Sequence, residues 1–320
     1  MEKQTVIWAI DPFENETRLD PSKVSQLMHW IHISNYRILP VHILPPSEDL
    51  PEELAVHESS ESSKAISAAK KAIEQVLKTL KISNVLPTQI LFQSDSSRKG
   101  AVSTLLEFSE GVQAPWIIVS SHGRSGIHRL VLGSFAENLL LESKCPIYFL
   151  THGGAPKKRN ATLNRVLFAT DFSNFSREAF LSLLQQAIRS KLEIVLFHDA
   201  SVPISMLASA GLGSTLLIEQ DFLPTQVKWA EEESLQWKAL AEERGISLRF
   251  VVKRGGVSED VGKAILATAE TEEVDIVALA SVSGALTSLV VGSVARDVFR
   301  ANLFPVWIYG MKCLKRPSGP

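Results

Sequence analysis

The chain has 320 residues, 45% of them hydrophobic, and its 33 basic and 35 acidic side chains give a formal net charge of −2. That length suits two ordinary domains of roughly 100–200 residues each, and a near-neutral chain lacks the basic surface that general nucleic-acid binding requires. The only two cysteines, Cys145 and Cys313, stand far apart, which excludes a disulfide framework or thiolate metal cluster and suits a reducing, cytoplasmic setting.

The first element is an apolar strand, Val6, Ile7, Trp8, Ala9 and Ile10, closed by Asp11-Pro12. It is too short for the apolar region of a secretion signal and carries no cleavage pattern. No later apolar run reaches the roughly 18–20 residues of a membrane helix, so a soluble protein with no membrane span is expected. His29 and His32 stand one helical turn apart without a third ligand nearby and read as ordinary helix histidines. A second strand around Ile38 carries Val41 and His42. Residues 44–63, rich in Pro, Glu and Ser, read as an acidic flap or a plain disordered connection. Apolar spacings of three and four through Ala65, Ala69, Ala72, Ile73, Val76, Leu77 and Leu80 then predict a helix packed on a core, and a strand near Ile90 follows.

The most informative segment comes next. A buried strand, Ile117-Ile118-Val119, ends at Ser120 or Ser121, and Gly123 and Gly126 behind it permit tight turns and close backbone approach. Gly133-Ser134 stands where a helix through Ala136, Leu139 and Leu140 begins, with Ser134 as its N-cap. Amides without intrahelical partners and the positive end of a helix dipole attract phosphate there, and Arg124 adds a charge-assisted contact to the same anion. If strands one and four are neighbours, Asp11 faces this loop across a topological switch point. It could then bond a ribose or base, help position a phosphate-bound Mg²⁺, or serve only as the acidic residue of a turn before Pro12. A last strand of this half follows at Cys145-Pro146-Ile147-Tyr148-Phe149.

The same order then repeats. After a Gly/Lys/Arg-rich linker at 152–160, strands are expected near Val166, Ile194, Phe250, Ile276 and Val306. Asp171, Gly292 and Pro305 stand 160, 159 and 159 residues after Asp11, Gly133 and Pro146, a nearly constant shift that marks a duplicated domain. The expected fold class is α/β: two tandem open parallel five-stranded sheets with helices on both faces, one at residues 1–151 and one at 162–311. Residues 202–223, with Ile204, Met206, Leu207, Leu212, Leu216, Leu217 and Ile218, are too apolar for a free loop and are expected to cover a pocket or a contact. The last strand of each half begins with Pro and is apolar, so the halves are expected to pair through these edges. No Gly-x-Ser-x-Gly elbow, Walker loop or Cys-x-x-Cys occurs, and no dedicated enzyme is expected.

The stretch from Ser120 to Glu137, with Asp11 after strand one and Lys144-Cys145-Pro146-Ile147 before the last strand, resembles the universal stress protein family, and the two copies resemble its tandem E type. The ATP-binding branch of that family carries Gly-x2-Gly-x9-Gly-Ser/Thr; this chain has Ser120-x2-Gly123-x9-Gly133-Ser134, with serine in place of the first glycine. The resemblance implies a stress-response protein holding ATP, with Mg²⁺ through its phosphates, at Asp11, Val41 (whose main chain would meet adenine), Ser120, Gly123, Arg124, Gly133 and Ser134. His122 would position the loop or assist slow hydrolysis. Single-domain relatives dimerise through their last strands, so the tandem resembles a covalently linked dimer and leaves a homodimer of whole chains open. In the second half Ala280 and Ser283 stand at the first two fingerprint positions, the loop is one residue shorter before Gly292-Ser293, and the arginine is gone, so a phosphate cradle is not expected there. The rival reading is an interaction module that binds no nucleotide and uses the apolar 202–223 segment for a partner or a hydrophobic ligand.

Overall fold

The computed structural model describes residues 3–13, 19–46, 61–93, 95, 97–120, 134–151, 164–203, 223–254, 257–258, 260–281 and 292–314. Each apolar stretch read as a strand forms one. The first half supplies β1 (Gln4–Ala9), β2 (Tyr36–Leu44), β3 (Gln89–Phe92), β4 (Ile117–Ser120) and β5 (Ile147–Leu150). The second supplies β6 (Arg165–Ala169) and β7 (Glu193–Asp199), the short β8 (Val202–Pro203), β9 (Leu248–Lys253), the short β10 (Val257–Ser258), β11 (Ile276–Ser281) and β12 (Val306–Gly310). Between them run α1 (Pro21–Ile33), α2 (Glu61–Thr79), α3 (Arg98–Gly111), α4 (Ser134–Glu142), α5 (Asn174–Ser190), α6 (Leu223–Glu242), α7 (Val261–Thr271), α8 (Ser293–Ala301) and α9 (Met311–Leu314). Helix starts follow capping chemistry: the Ser97 side chain accepts from Gly100 N, Ser173 from Ser176 N, and Asp20, with Pro21 behind it, from Ser22 N.

Strand order is β3-β2-β1-β4-β5-β12-β11-β6-β7-β9: the two five-stranded halves join edge to edge into one ten-stranded sheet, as expected from their last strands. Pairing is parallel within each half and antiparallel only at the join, where Trp307 lies opposite Tyr148 and Val306 opposite Phe149. The edge that each half would leave unpaired is thereby satisfied inside the chain, so these last strands are not open to a second molecule. β8 and β10 form a separate parallel ribbon.

Strand alternation sorts the core into two layers, each running without a break across the join. One holds Trp8, Ile38, Ile118, Phe168, Leu196 and Trp307 under α1, α2, α5 and α6. The other holds Ile7, Val41, Val119, Phe149, Val195 and Ile308 under α3, α4, α7 and α8. At the join, Trp30, Trp116 and Tyr148 of the first half meet Trp307 of the second at ring separations of 4.9, 5.9 and 6.5 Å, and Phe149 meets Phe299 edge-on at 5.1 Å on the opposite face. Polar contacts flank the rings. Gln26 Nε2 donates to buried Asp275 at 3.0 Å, and the other oxygen of that carboxylate accepts the Asn164 and Arg165 amides at 2.9 and 3.1 Å. The Tyr36 hydroxyl donates to Gln186, and burial, outweighing the nearby Arg189, holds its pKa above 10.0.

One glycine is needed at the join. A Cβ on Gly310 would sit against the Leu140 carbonyl oxygen, well inside van der Waals contact and against backbone that cannot turn away. Gly310→Ala is therefore expected to lower stability by about 1–3 kcal/mol in urea unfolding. Gly111→Ala, where nothing lies within 4 Å of the added carbon, serves as the control and is expected to do far less.

Candidate functional site

Strand order reverses between β1 and β4, which pair in parallel through Ile7↔Ile117, Trp8↔Ile118 and Ala9↔Val119. Strands one and four are thus neighbours, and Asp11 and Ser120 stand at the carboxyl ends of the two strands flanking the switch point, where ligands of parallel α/β sheets bind. Ser120 is buried. Gly123, Arg124, Gly133 and the rest of 121–133, His122 included, lie outside the described residues.

Sequence reading places Ser134 at the N-cap, but the helix α4 starts on it. The second half shows why the serine of a Gly-Ser pair sits inside the helix. There Gly292 takes the extended cap conformation (φ −51, ψ 146) ahead of Ser293, with no side-chain cap bond. A glycine cap supplies no oxygen to the first-turn amides, which leaves them to an outside acceptor. In this half the Gly292 N–H itself reaches the Ser281 hydroxyl at 3.4 Å.

The two halves superpose residue by residue at the ends of their first strands. The Ile10 N–H donates to the Val41 carbonyl at 2.9 Å, as Thr170 does to Phe197 at 2.9 Å. Val41 is fully buried, and its carbonyl already takes this bond. Phe13 N–H donates to Asp11 Oδ1 at 3.1 Å, as Ser173 N–H does to Asp171 Oδ1 at 3.0 Å. Beyond that turn the halves part. Asp171 Oδ1 also accepts the Ser173 and Ser176 hydroxyls at 2.6 and 2.5 Å. Burial raises the Asp171 pKa, but these donors outweigh it and hold the carboxyl below its ordinary 3.8. Asp171 is thus an organiser of the α5 cap. In the first half a phenylalanine stands where Ser173 does; it is 63% exposed, and Asp11 has no other hydrogen bond among the described residues. An ionised carboxylate has about four acceptor sites, and among the described residues Asp11 fills one of them.

Sequence reasoning missed the residue under this turn. His42 is 7% exposed, and its Nδ1 lies 2.8 Å from the Ile10 carbonyl oxygen; His198, 9% exposed, makes the same bond to Thr170 at 2.9 Å. A signal was present: one histidine inside an otherwise apolar second strand, at the same place in both halves. Around His198 the second half packs Phe172 at 5.0 Å and Trp229 at 5.8 Å, whereas His42 meets only the Phe13 edge at 5.7 Å among the described rings.

Of the two long connections, residues 47–60 and 204–222 lie outside the described residues, so the flap and the apolar cover are not placed. Residues 61–63 open α2, and Val202–Pro203 form β8. Among the described residues, no group of three or more His, Cys, Asp or Glu could hold a metal ion, which covers His29 and His32, and no helix is long and apolar enough to cross a membrane.

The model of the Universal stress protein family matches residues 31–150 and 162–310. Solved structures similar along nearly the whole chain include a universal stress protein from Archaeoglobus fulgidus DSM 4304, 17% identical with a TM-score of 0.61, covering 97% of this chain and 99% of that one. Another is a putative universal stress protein from Pseudomonas aeruginosa UCBPP-PA14, 15% identical with a TM-score of 0.56, covering 98% and 95%. A protein of Pseudomonas aeruginosa PAO1 described as functionally unknown is 14% identical with a TM-score of 0.58, covering 98% and 94%. These likenesses concern the fold, while the family match extends over both halves of the duplicated chain: it belongs to the universal stress protein family, as a tandem of two such domains, and is a stress-response protein.

Proposed function

We propose that this tandem protein binds one ATP, with Mg²⁺ on its phosphates, in the first half and has no dedicated catalytic task. The observation that carries the reading is the contrast at the switch points: among the described residues Asp11 takes only the Phe13 N–H, whereas Asp171 spends its carboxylate on Ser173 and Ser176. Asp11 faces the ribose. The glycine loop from Gly123 to Gly133, with Arg124, cradles the phosphates ahead of the helix that starts at Ser134, and the end of β2 at Val41 borders the base. Ser120, in place of a glycine, lines the crevice wall. A Mg²⁺ ion fits this donor set as a passenger of the phosphates, because among the described residues Asp11 belongs to no metal-holding group and the ion prefers several waters and phosphate oxygens. A cytoplasmic location accords with the two separated cysteines.

Titration calorimetry of ATP with Mg²⁺ tests this. Wild type is expected to show saturable binding near one nucleotide per chain, and Gly123→Val to lose it, because a branched side chain blocks close backbone approach. Heat in neither protein favours the interaction module, a reading to which α6 lends two exposed apolar side chains, Trp229 and Leu235. Slow hydrolysis would appear as ADP release in a single turnover.

A further inference from the structure

We propose that His42 is a positioning residue for the nucleotide: its ring clamps the peptide before Asp11 and so sets the carboxylate that meets the ribose. This rests on the reading of Asp11 given above. The β1 ladder ends at Ala9↔Val41, and one residue later the chain must turn. Ile10 sits at that point with its N–H on the Val41 carbonyl at 2.9 Å and its own carbonyl on His42 Nδ1 at 2.8 Å. A carbonyl oxygen only accepts, so Nδ1 carries the proton, and in the neutral ring Nε2 does not. Both polar groups of Ile10 are thereby held by consecutive residues of β2. The peptide that follows leads directly to Asp11, whose Oδ1 takes the Phe13 N–H at 3.1 Å. A buried carbonyl at a strand end needs a partner, and here a side chain supplies what the ladder no longer can.

The second half makes the same clamp with His198 on Thr170 at 2.9 Å, although its Asp171 is turned to the helix cap. The clamp therefore belongs to the turn, and what differs between the halves is the use of the aspartate it presents. That separation allows an internal control. The same ring removed from the second half should loosen an equivalent turn without touching the nucleotide.

The experiment uses the full chain with three variants. His42→Phe removes the donor and keeps a ring, His42→Asn restores an N–H donor near the Nδ1 position, and His198→Phe makes the same change in the other half. In nucleotide-free protein, hydrogen exchange at the Phe13 amide is expected to quicken at least tenfold in His42→Phe and to return toward wild type in His42→Asn; His198→Phe should quicken Ser173 instead. For ATP, His42→Phe is expected to weaken binding by about tenfold, or about 1.4 kcal/mol, through the misaimed carboxylate. His42→Asn should recover most of that, and His198→Phe should bind as wild type does. For 2′,3′-dideoxy-ATP, which offers Asp11 no ribose hydroxyl, His42→Phe should bind as wild type does. Equal weakening toward both nucleotides, or an equal loss in His198→Phe, reduces His42 to a general support of the fold and overturns the proposal. Unchanged exchange at Phe13 overturns the clamp itself. A wild-type chain that takes up no ATP overturns the nucleotide reading and the ligand half of this proposal, while the exchange result still decides whether His42 sets the Asp11 turn.

Discussion

Trp307→Ala is expected to lower the stability of the whole chain by about 3–5 kcal/mol, the range for truncating a fully buried tryptophan, and to split one unfolding transition into two. Trp307 is the point at which the halves are least separable. Its ring meets Trp30 of α1, Trp116 just ahead of β4 and Tyr148 of β5, and stacks on Tyr309 of its own strand at 5.7 Å. Removing it leaves a cavity lined by four aromatic faces, so neither half can close the gap alone. The indole N–H has no acceptor among the described residues, nor has that of Trp30, so the loss is one of packing and not of a hydrogen bond. Trp307→Phe, which keeps most of the area and discards an unpaired donor, is therefore expected to cost much less than the alanine change. Urea unfolding followed by circular dichroism measures both. A single transition in Trp307→Ala with an unchanged midpoint would show that the halves are held elsewhere.

How much of this was legible depends on how local its cause is. The strands were, because runs such as Ile117-Ile118-Val119 and Ile194-Val195-Leu196 are short, apolar and bounded by turn residues, and periodicity needs nothing beyond the segment itself. The duplication was, because Asp11/Asp171 and Gly133-Ser134/Gly292-Ser293 recur at one spacing. Edge pairing of the last strands was expected from their apolar character, but the opposition of Trp307 to Tyr148 was not, since register across a join joins residues 159 apart and leaves no periodic trace. The helix α4 starts on Ser134 itself, and in the second half Gly292 takes the cap position ahead of Ser293, a one-residue shift that sequence pattern does not resolve. The fate of the two aspartates was hidden for a similar reason. Both are followed by the same turn, and among the described residues the hydroxyls of Ser173 and Ser176, placed by the start of α5, distinguish them.

That divergence yields the second large effect, a pair of substitutions with opposite signatures. Asp11→Ala is expected to weaken ATP binding by about 10- to 100-fold, the worth of hydrogen bonds to a charged acceptor at roughly 1.5–3 kcal/mol, with little loss of stability, because among the described residues the carboxylate takes only the Phe13 N–H. Asp171→Ala is expected to leave ATP binding alone and to lower stability by about 1 kcal/mol, as loss of a helix cap does, since Ser173 and Ser176 lose the oxygen that aligns them. The pH dependence follows from the sign of the shift. The Asp171 pKa lies below its ordinary 3.8 in the folded chain, so the unfolded chain binds the proton more readily, and the stabilisation is complete above about pH 4 and is lost as pH falls through the folded value. The difference between wild type and Asp171→Ala should therefore be constant near neutrality and shrink in acid, which urea midpoints at a series of pH values would show. Phe13→Ser completes the argument, because it gives Asp11 the hydroxyl that Asp171 already holds. If a carboxylate open to a ligand is what distinguishes the first half, that single change should weaken ATP binding while slightly stabilising the turn; a chain whose affinity is indifferent to it would place the nucleotide elsewhere than against Asp11.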